Sequence, residues 1–162
     1  IKKGQLITSE TKIDGEVPVI AGGKKPAYFH NSPNREGKTI TVSGSGANAG
    51  YVSFHNYPIF ASDCSTINES KYFVIEYIYY TLKLNQNNIY KRQTGGAQPH
   101  IHPVDLFPLN IYFPKLEEQN HIATILSEMD TEIEKLEEKL DKYKDIKQGL
   151  MQQLLTGKIR LV

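Results

Sequence analysis

Four short stretches carry residue types that could do chemistry. Gly44-Ser-Gly-Ala-Asn-Ala-Gly50 has the glycine content of a phosphate loop. It lacks the Gly-Lys-Ser/Thr of a nucleotide-binding P-loop, and the segment after it reads as strand rather than helix. The plainer reading is a tight strand-to-strand connection, for which glycine is the default residue. The alternative is a loop whose exposed amides, Ser45 and Asn48 touch a nucleic acid, since an Asn side chain can pair bidentately with adenine. Lys91-Arg-Gln-Thr-Gly-Gly-Ala-Gln-Pro99 is basic, then flexible, then amide-bearing. Lys91 and Arg92 suit phosphates, and Thr94 and Gln98 suit base edges. A solvated connecting loop is the plainer alternative here too. Lys24 and Lys25, in the loop Gly22-Gly-Lys-Lys-Pro26, add two more cations to the candidate DNA-binding set.

The other two stretches point to enzymes. His100-Ile-His102 places two imidazoles on one face of a strand, but no third ligand follows at metal-site spacing. No metal and no cofactor is therefore expected. Asp63-Cys-Ser65 offers a thiol with His55 nearby in sequence, without a positioned base. Asn68-Glu-Ser70 matches the glycosylation sequon, in a chain that otherwise argues against secretion. Of the ten tyrosines, some could line a DNA-facing surface, while Tyr77 and Tyr80 are expected to pack.

The elements that must position these residues read as follows. Gly4–Ile7 and Val17–Ala21 are expected strands around a turn at Asp14-Gly15, and Tyr28-Phe29 begins another. The run 31–37, with Pro33, is turn-rich. Thr-Ile-Thr-Val-Ser, 39–43, is a clear strand; 51–54 and 58–61 follow. Apolar residues at Phe73, Tyr77, Tyr80 and Leu84 predict a helix within 69–84. A helical turn is expected at 104–107, then a strand at 109–113 ending on Pro114.

From Glu117 to Leu155 the pattern changes. Ile122, Leu126, Met129, Ile133, Leu136, Leu140, Tyr143, Leu150 and Leu154 alternate steps of four and three, with Lys147 in the one gap. That is the a/d seam of a coiled coil, and a lone polar residue on it can set register or partner choice. The residues between are mostly charged. Glu138–Lys142 and Glu132–Lys135 are favourable pairs, offset by like-charge neighbours of similar size. Gly149 is a weak point, and Gly157 suits a left-handed helix stop. Such a helix is roughly 58 Å long, so its seam is expected to await a second copy or another protein's helix.

The domain expectation is 1–116 for an α/β (α+β) globular unit, 117–157 for the long helix and 158–162 for a tail. Residues 1–116 carry 12 Lys/Arg against 8 Asp/Glu, a balance of +4; the remainder carries 7 against 10, a balance of −3. A basic globular part beside an acidic helix permits a polyanionic partner for the former. The single cysteine excludes an internal disulfide and fits a reducing compartment. No apolar run approaches a membrane span and no secretory signal is evident, so the expected location is cytoplasmic, with no membrane partner. The chain begins at Ile1 without Met and is expected to start inside a longer protein.

Three stretches together resemble the specificity subunit of type I restriction–modification systems. They are 95–101, Gly-Gly-Ala-Gln-Pro-His-Ile, with 109–114, Leu-Asn-Ile-Tyr-Phe-Pro; then 116–123, Leu-Glu-Glu-Gln-Asn-His-Ile-Ala; then 147–158, Lys-Gln-Gly-Leu-Met-Gln-Gln-Leu-Leu-Thr-Gly-Lys. The resemblance implies that residues 1–116 are a target recognition domain reading half of a bipartite sequence in double-stranded DNA. It implies that the helix pairs antiparallel with a second such helix. It also implies that methyl transfer and cleavage belong to partner methyltransferase and restriction subunits. A full subunit of the family has two domain–helix repeats and this chain has one. That fits a half-subunit acting as a homodimer on a two-fold symmetric, interrupted site, or a fragment needing the second half. The resulting expectation is a non-catalytic DNA-recognition subunit. The rivals are a small nucleic-acid-processing enzyme and a structural coiled-coil adaptor.

Overall fold

The computed structural model describes residues 1–161. Among these residues seven strands and four helices follow in chain order. The strands are β1 (Lys2–Lys3), β2 (Val17–Ile20), β3 (Tyr28–His30), β4 (Thr39–Ser43), β5 (Val52–His55), β6 (Phe60–Ala61) and β7 (Cys64–Asn68). The helices are α1 (Ile75–Leu84), α2 (Gln86–Tyr90), α3 (Pro103–Leu106) and α4 (Leu116–Leu154). The expected class, an α/β (α+β) domain followed by a long helix, is what is found. The chain divides into two compact units, Ile1–Ala123 and a second beginning at Thr124.

The first unit is built around β4. Its β-branched sequence suits a pleated surface, and all five residues are buried. It pairs antiparallel with β5 on one side and β7 on the other, giving the sheet order β1-β7-β4-β5. The two faces of β4 carry different chemistry because side chains alternate with period two. Ile40 and Val42 join Val52, Ile75, Ile78, Leu82, Ile89, Ile101 and Leu106 in the main core. Thr39, Thr41 and Ser43 occupy the alternate positions, where buried hydroxyls require partners. Thr41 Oγ1 lies 2.9 Å from His55 Nε2, and Asn68 Nδ2 donates to Thr39 Oγ1 at 3.2 Å. A second sheet, β3-β2-β6, pairs β2 with β6 in parallel and with β3 antiparallel. Ile20, Ile59, Ala61 and Cys64 form a smaller core linking the two sheets.

Several expectations are corrected. Gly4–Ile7 is not a strand; the strand there is β1, and Gly4 and Gln5 only send single amides to Cys64 O and Ala61 O. Leu109–Phe113 lies in no sheet: helix α3 and the start of α4 flank it, and Tyr77 Oη donates to Tyr112 O instead. The helix expected within 69–84 begins at Ile75, and its buried face is Ile75, Tyr77, Ile78 and Leu82. Of the Phe73–Tyr77–Tyr80–Leu84 stripe, Tyr77 is buried, Phe73 packs on the main core and Tyr80 is half-buried, while Leu84 is exposed. β7 and α2 were not anticipated. The residues of β7 alternate less plainly than those of β4, and its Cys-Ser-Thr start suggested reactivity rather than a strand.

Helix α4 spans 39 residues, roughly 58 Å at the ordinary rise. Its first two turns belong to the first unit: Gln119 and Ala123 are buried, and Ile122 packs on the main core. In the second unit, Met129, Ile133, Leu136, Leu140 and Tyr143 are each half or more exposed. Ile146, absent from the expected seam, joins Tyr143, Lys147, Leu150, Met151, Leu154 and Leu155 around one apolar recess. Glu132–Lys135 and Asp141–Lys144 form surface ion pairs. Gly157 adopts φ +70°, as a left-handed stop requires.

Candidate nucleic-acid interface

The glycine loop 44–50 and the basic-to-amide segment 91–100 meet in space. Ser45 and Thr94 both bridge to His100. Gly46 N–H donates to Pro99 O at 3.0 Å, Ile101 N–H to Gly44 O at 2.9 Å, and Gln93 Nε2 to Ala49 O at 2.8 Å. Neither segment is a floppy connector: each supplies the other's missing backbone partners, as buried or half-buried peptide groups require. The loop 22–26 abuts the same place, since a Cβ on Gly22 would sit 2.6 Å from Ser45 O.

Gly50 ends the glycine loop with φ +83°, and its α-carbon faces buried Ile89 and Ile101 so closely that a Cβ would lie 2.8 Å from Ile89 Cγ2. Both the left-handed backbone and the lack of room require glycine here. Tyr51 follows, and Val52 then opens β5. The loop therefore connects two antiparallel neighbours, β4 and β5, which is the plainer role expected of it. A P-loop helix does not follow.

The candidate side chains distribute unevenly over this surface. Lys24 is exposed and its Nζ stands 5.2 Å from the centre of the Tyr51 ring. Lys25, Thr94 and Gln98 are exposed, and Asn48 is half-buried. The Ser45 hydroxyl donates to the Asp63 carboxylate, so it braces the loop. Lys91 and Arg92 line a separate polar recess with Asn85, Asn88, Pro108, Leu109 and Asn110, where an Arg92 guanidinium nitrogen donates to Pro108 O at 3.4 Å. Sequence reasoning missed Lys83 in the last turn of α1: its Nζ is 5.1 Å from the same Tyr51 ring. No local pattern links Lys24, Tyr51 and Lys83: α1 packs on β5, and the loop after β2 lies against Ser45.

The stretches that suggested enzymes, 63–65 and 100–102, border one recess. Cys64 is buried, and burial with the neighbouring Asp63 charge pushes its thiol up to about 12. It is thus protonated and inert at neutral pH. His55 is engaged with Thr41 across β4–β5 rather than with Cys64, and burial pulls its imidazole down to about 4. His100 and His102 stack in parallel, ring centres 6.4 Å apart, beside a recess of about 290 Å³ that also touches Asp63 and Cys64. Among the described residues no group of three or more His, Cys, Asp or Glu is placed to hold a metal ion. Asn68, the sequon asparagine, has its amide on Thr39. Among the described residues no helix is long and apolar enough to cross a membrane.

Similarity to known proteins agrees with this arrangement. The specificity subunit of the type I restriction enzyme MjaVIII of Methanocaldococcus jannaschii is 29% identical over 118 residues, 72% of this chain and 28% of that protein. The putative type I specificity subunit S.MpnORF638P of Mycoplasma pneumoniae is 28% identical over 161 residues, 96% of this chain and 43% of that protein. The crystal structure of a type I restriction–modification system S subunit from M. genitalium matches with a TM-score of 0.73 at 25% identity, covering 94% of this chain and 42% of that one. The chain thus spans less than half the length of each of these relatives. The family model of the type I restriction modification DNA specificity domain matches residues 1–143, and with a globular unit and long helix that align with those subunits, this chain belongs to that family.

Proposed function

We propose that residues 1–116 form a target recognition domain that reads one half of a bipartite site in double-stranded DNA. The single observation that carries this is the meeting of the 44–50 and 91–100 segments, which sets the glycine-rich loops bearing Asn48, Thr94 and Gln98 against each other in a domain with excess positive charge. Lys24, Lys25, Lys91 and Arg92 contact phosphates in this reading. Asn48, Thr94 and Gln98 reach base edges, and Ser45 holds the loop through Asp63. Phosphate contacts position the protein and base contacts specify the sequence.

The chain itself is non-catalytic in this proposal. Methyl transfer and cleavage are carried out by methyltransferase and restriction subunits that it directs to the site, in the cytoplasm. Residues 117–157 act as the pairing helix, with 158–162 as a tail. Leu126, Met129, Ile133, Leu136, Leu140, Tyr143, Leu150 and Leu154 meet a second copy of the helix in antiparallel fashion, or the equivalent helix of a second half-subunit; Ile122 is shared with the domain's own core.

Selecting bound sequences from random duplexes, with the methyltransferase partner present, tests the reading directly. An interrupted consensus is expected, and Lys91→Ala with Arg92→Ala should weaken binding and lower its salt dependence. Recovery of no sequence preference would reject sequence-specific recognition.

A further inference from the structure

We propose that Lys24 and Lys83, gathered on the ring of Tyr51, form a phosphodiester-binding point on the DNA backbone beside the glycine loop; the inference rests on the DNA-recognition reading above. The three residues come from separate parts of the fold. Lys24 lies in the loop after β2, Lys83 in the last turn of α1, and Tyr51 between Gly50 and β5. Both ammonium groups stand within 5.2 Å of one ring centre.

Both groups on this ring carry positive charge, and among the described residues neither is paired with a carboxylate. Among the described residues the ion-paired lysines are Lys12, Lys38, Lys135 and Lys144. The aromatic face attracts each ammonium through its quadrupole. It orders two long stems while leaving their N–H donors free for another acceptor. A phosphate brought to this ring meets ammonium groups that no carboxylate neutralises. A phosphodiester suits a site built of two point charges without an enclosing pocket, because duplex DNA presents such groups in rows.

The position is informative as well. Tyr51 directly follows Gly50, and Gly22, two residues before Lys24, packs on Ser45 O. A phosphate held by this pair is therefore fixed relative to the loop bearing Asn48. It would anchor the register from which that loop reads bases, at a point distinct from the Lys91–Arg92 recess.

Fluorescence anisotropy of the full chain with a labelled random-sequence duplex, across a potassium chloride series, tests this. The double variant Lys24→Gln, Lys83→Gln should bind more weakly. Its plot of log affinity against log salt should flatten by about 0.9, the contribution of one lost phosphate contact on B-DNA. Tyr51→Leu should flatten it by less, because the cations remain but are no longer held together. Both variants carry substitutions outside the core, and matched thermal melts verify their folding. If the parent chain binds and the double variant keeps its slope, the lysine pair is refuted while DNA recognition stands. If the parent chain binds no duplex at any salt, both proposals fall. Inorganic phosphate should displace the duplex no better than chloride at equal ionic strength. Displacement beyond that level would make this a site for free phosphate and overturn the assignment to the backbone.

Discussion

Gln119 and Val74 are joined by a half-buried hydrogen bond: Val74 N–H donates to Gln119 Oε1 at 3.0 Å, and the amide of the same side chain donates to Pro114 O at 2.8 Å in a buried bond. Gln119 is fully buried. Val74 is the N-cap of α1 and has no side-chain cap of its own, so the first turn of α4 supplies the acceptor that this helix start lacks. One side chain thereby ties α4 to α1 and to the segment leading into α4.

Replacing Gln119 with Leu keeps the volume and removes both bonds. A buried carbonyl and a half-buried N–H lose their partners, at a cost of about 1–3 kcal/mol. Urea unfolding followed by circular dichroism should show a lower midpoint with an unchanged slope. A shift of under half a kcal/mol would mean that water or another group satisfies Val74 N–H and Pro114 O.

Gly50→Ala should destabilise the first unit by about 2 kcal/mol or more, since an alanine meets both the left-handed backbone penalty and the contact with Ile89. Gly96 faces open space, so Gly96→Ala serves as the control and should be near neutral. Equal melting temperatures for the two variants would contradict the close approach.

Burial of His55 makes stability depend on pH in a defined window. Its folded pKa is depressed to about 4 from 6.5. Above pH 6.5 the ring is neutral in both states and its contribution is full. As pH falls below 6.5 the unfolded chain gains a proton that the folded one refuses, so stability declines until about pH 4 and is level below. The total is about 3 kcal/mol at most. His55→Gln should remove this decline, leaving only the carboxylate contribution. Parallel pH profiles for variant and parent would place the titration elsewhere.

The proposed pairing of α4 predicts that Leu136→Lys with Leu140→Lys weakens self-association a hundredfold or more, because each leucine contributes about 1.5–3 kcal/mol when buried. Sedimentation equilibrium reads this directly. The first unit should keep its melting temperature, since neither residue belongs to it. A parent chain that stays monomeric at high concentration, without partners, would argue against homodimerisation.

What the sequence determined by itself was whatever depends on local periodicity. The long helix followed from apolar steps of four and three, and α4 runs from Leu116 to Leu154 against an expected 117–155. Strand β4 followed from its β-branched run, and Gly157 from its position after the last seam residue. The family was legible as well, from three stretches in the second half of the chain.

Tertiary structure decided the rest. Tyrosine spacing placed Tyr77 on the buried face of α1 but not Ile75, Ile78 and Leu82, which pack beside it, because a tyrosine packs by its ring and remains polar at its tip. Strand β7 carries too few apolar residues to announce itself and exists because β4 needs a partner on its second edge. Lys83 met Tyr51 only when α1 packed on β5, Lys24 only when the loop after β2 lay against Ser45, and Gln119 found Val74 only when the start of α4 docked on α1. Such long-range pairings leave no periodic trace: each is fixed by the unmet hydrogen bond, charge or surface of a residue far along the chain.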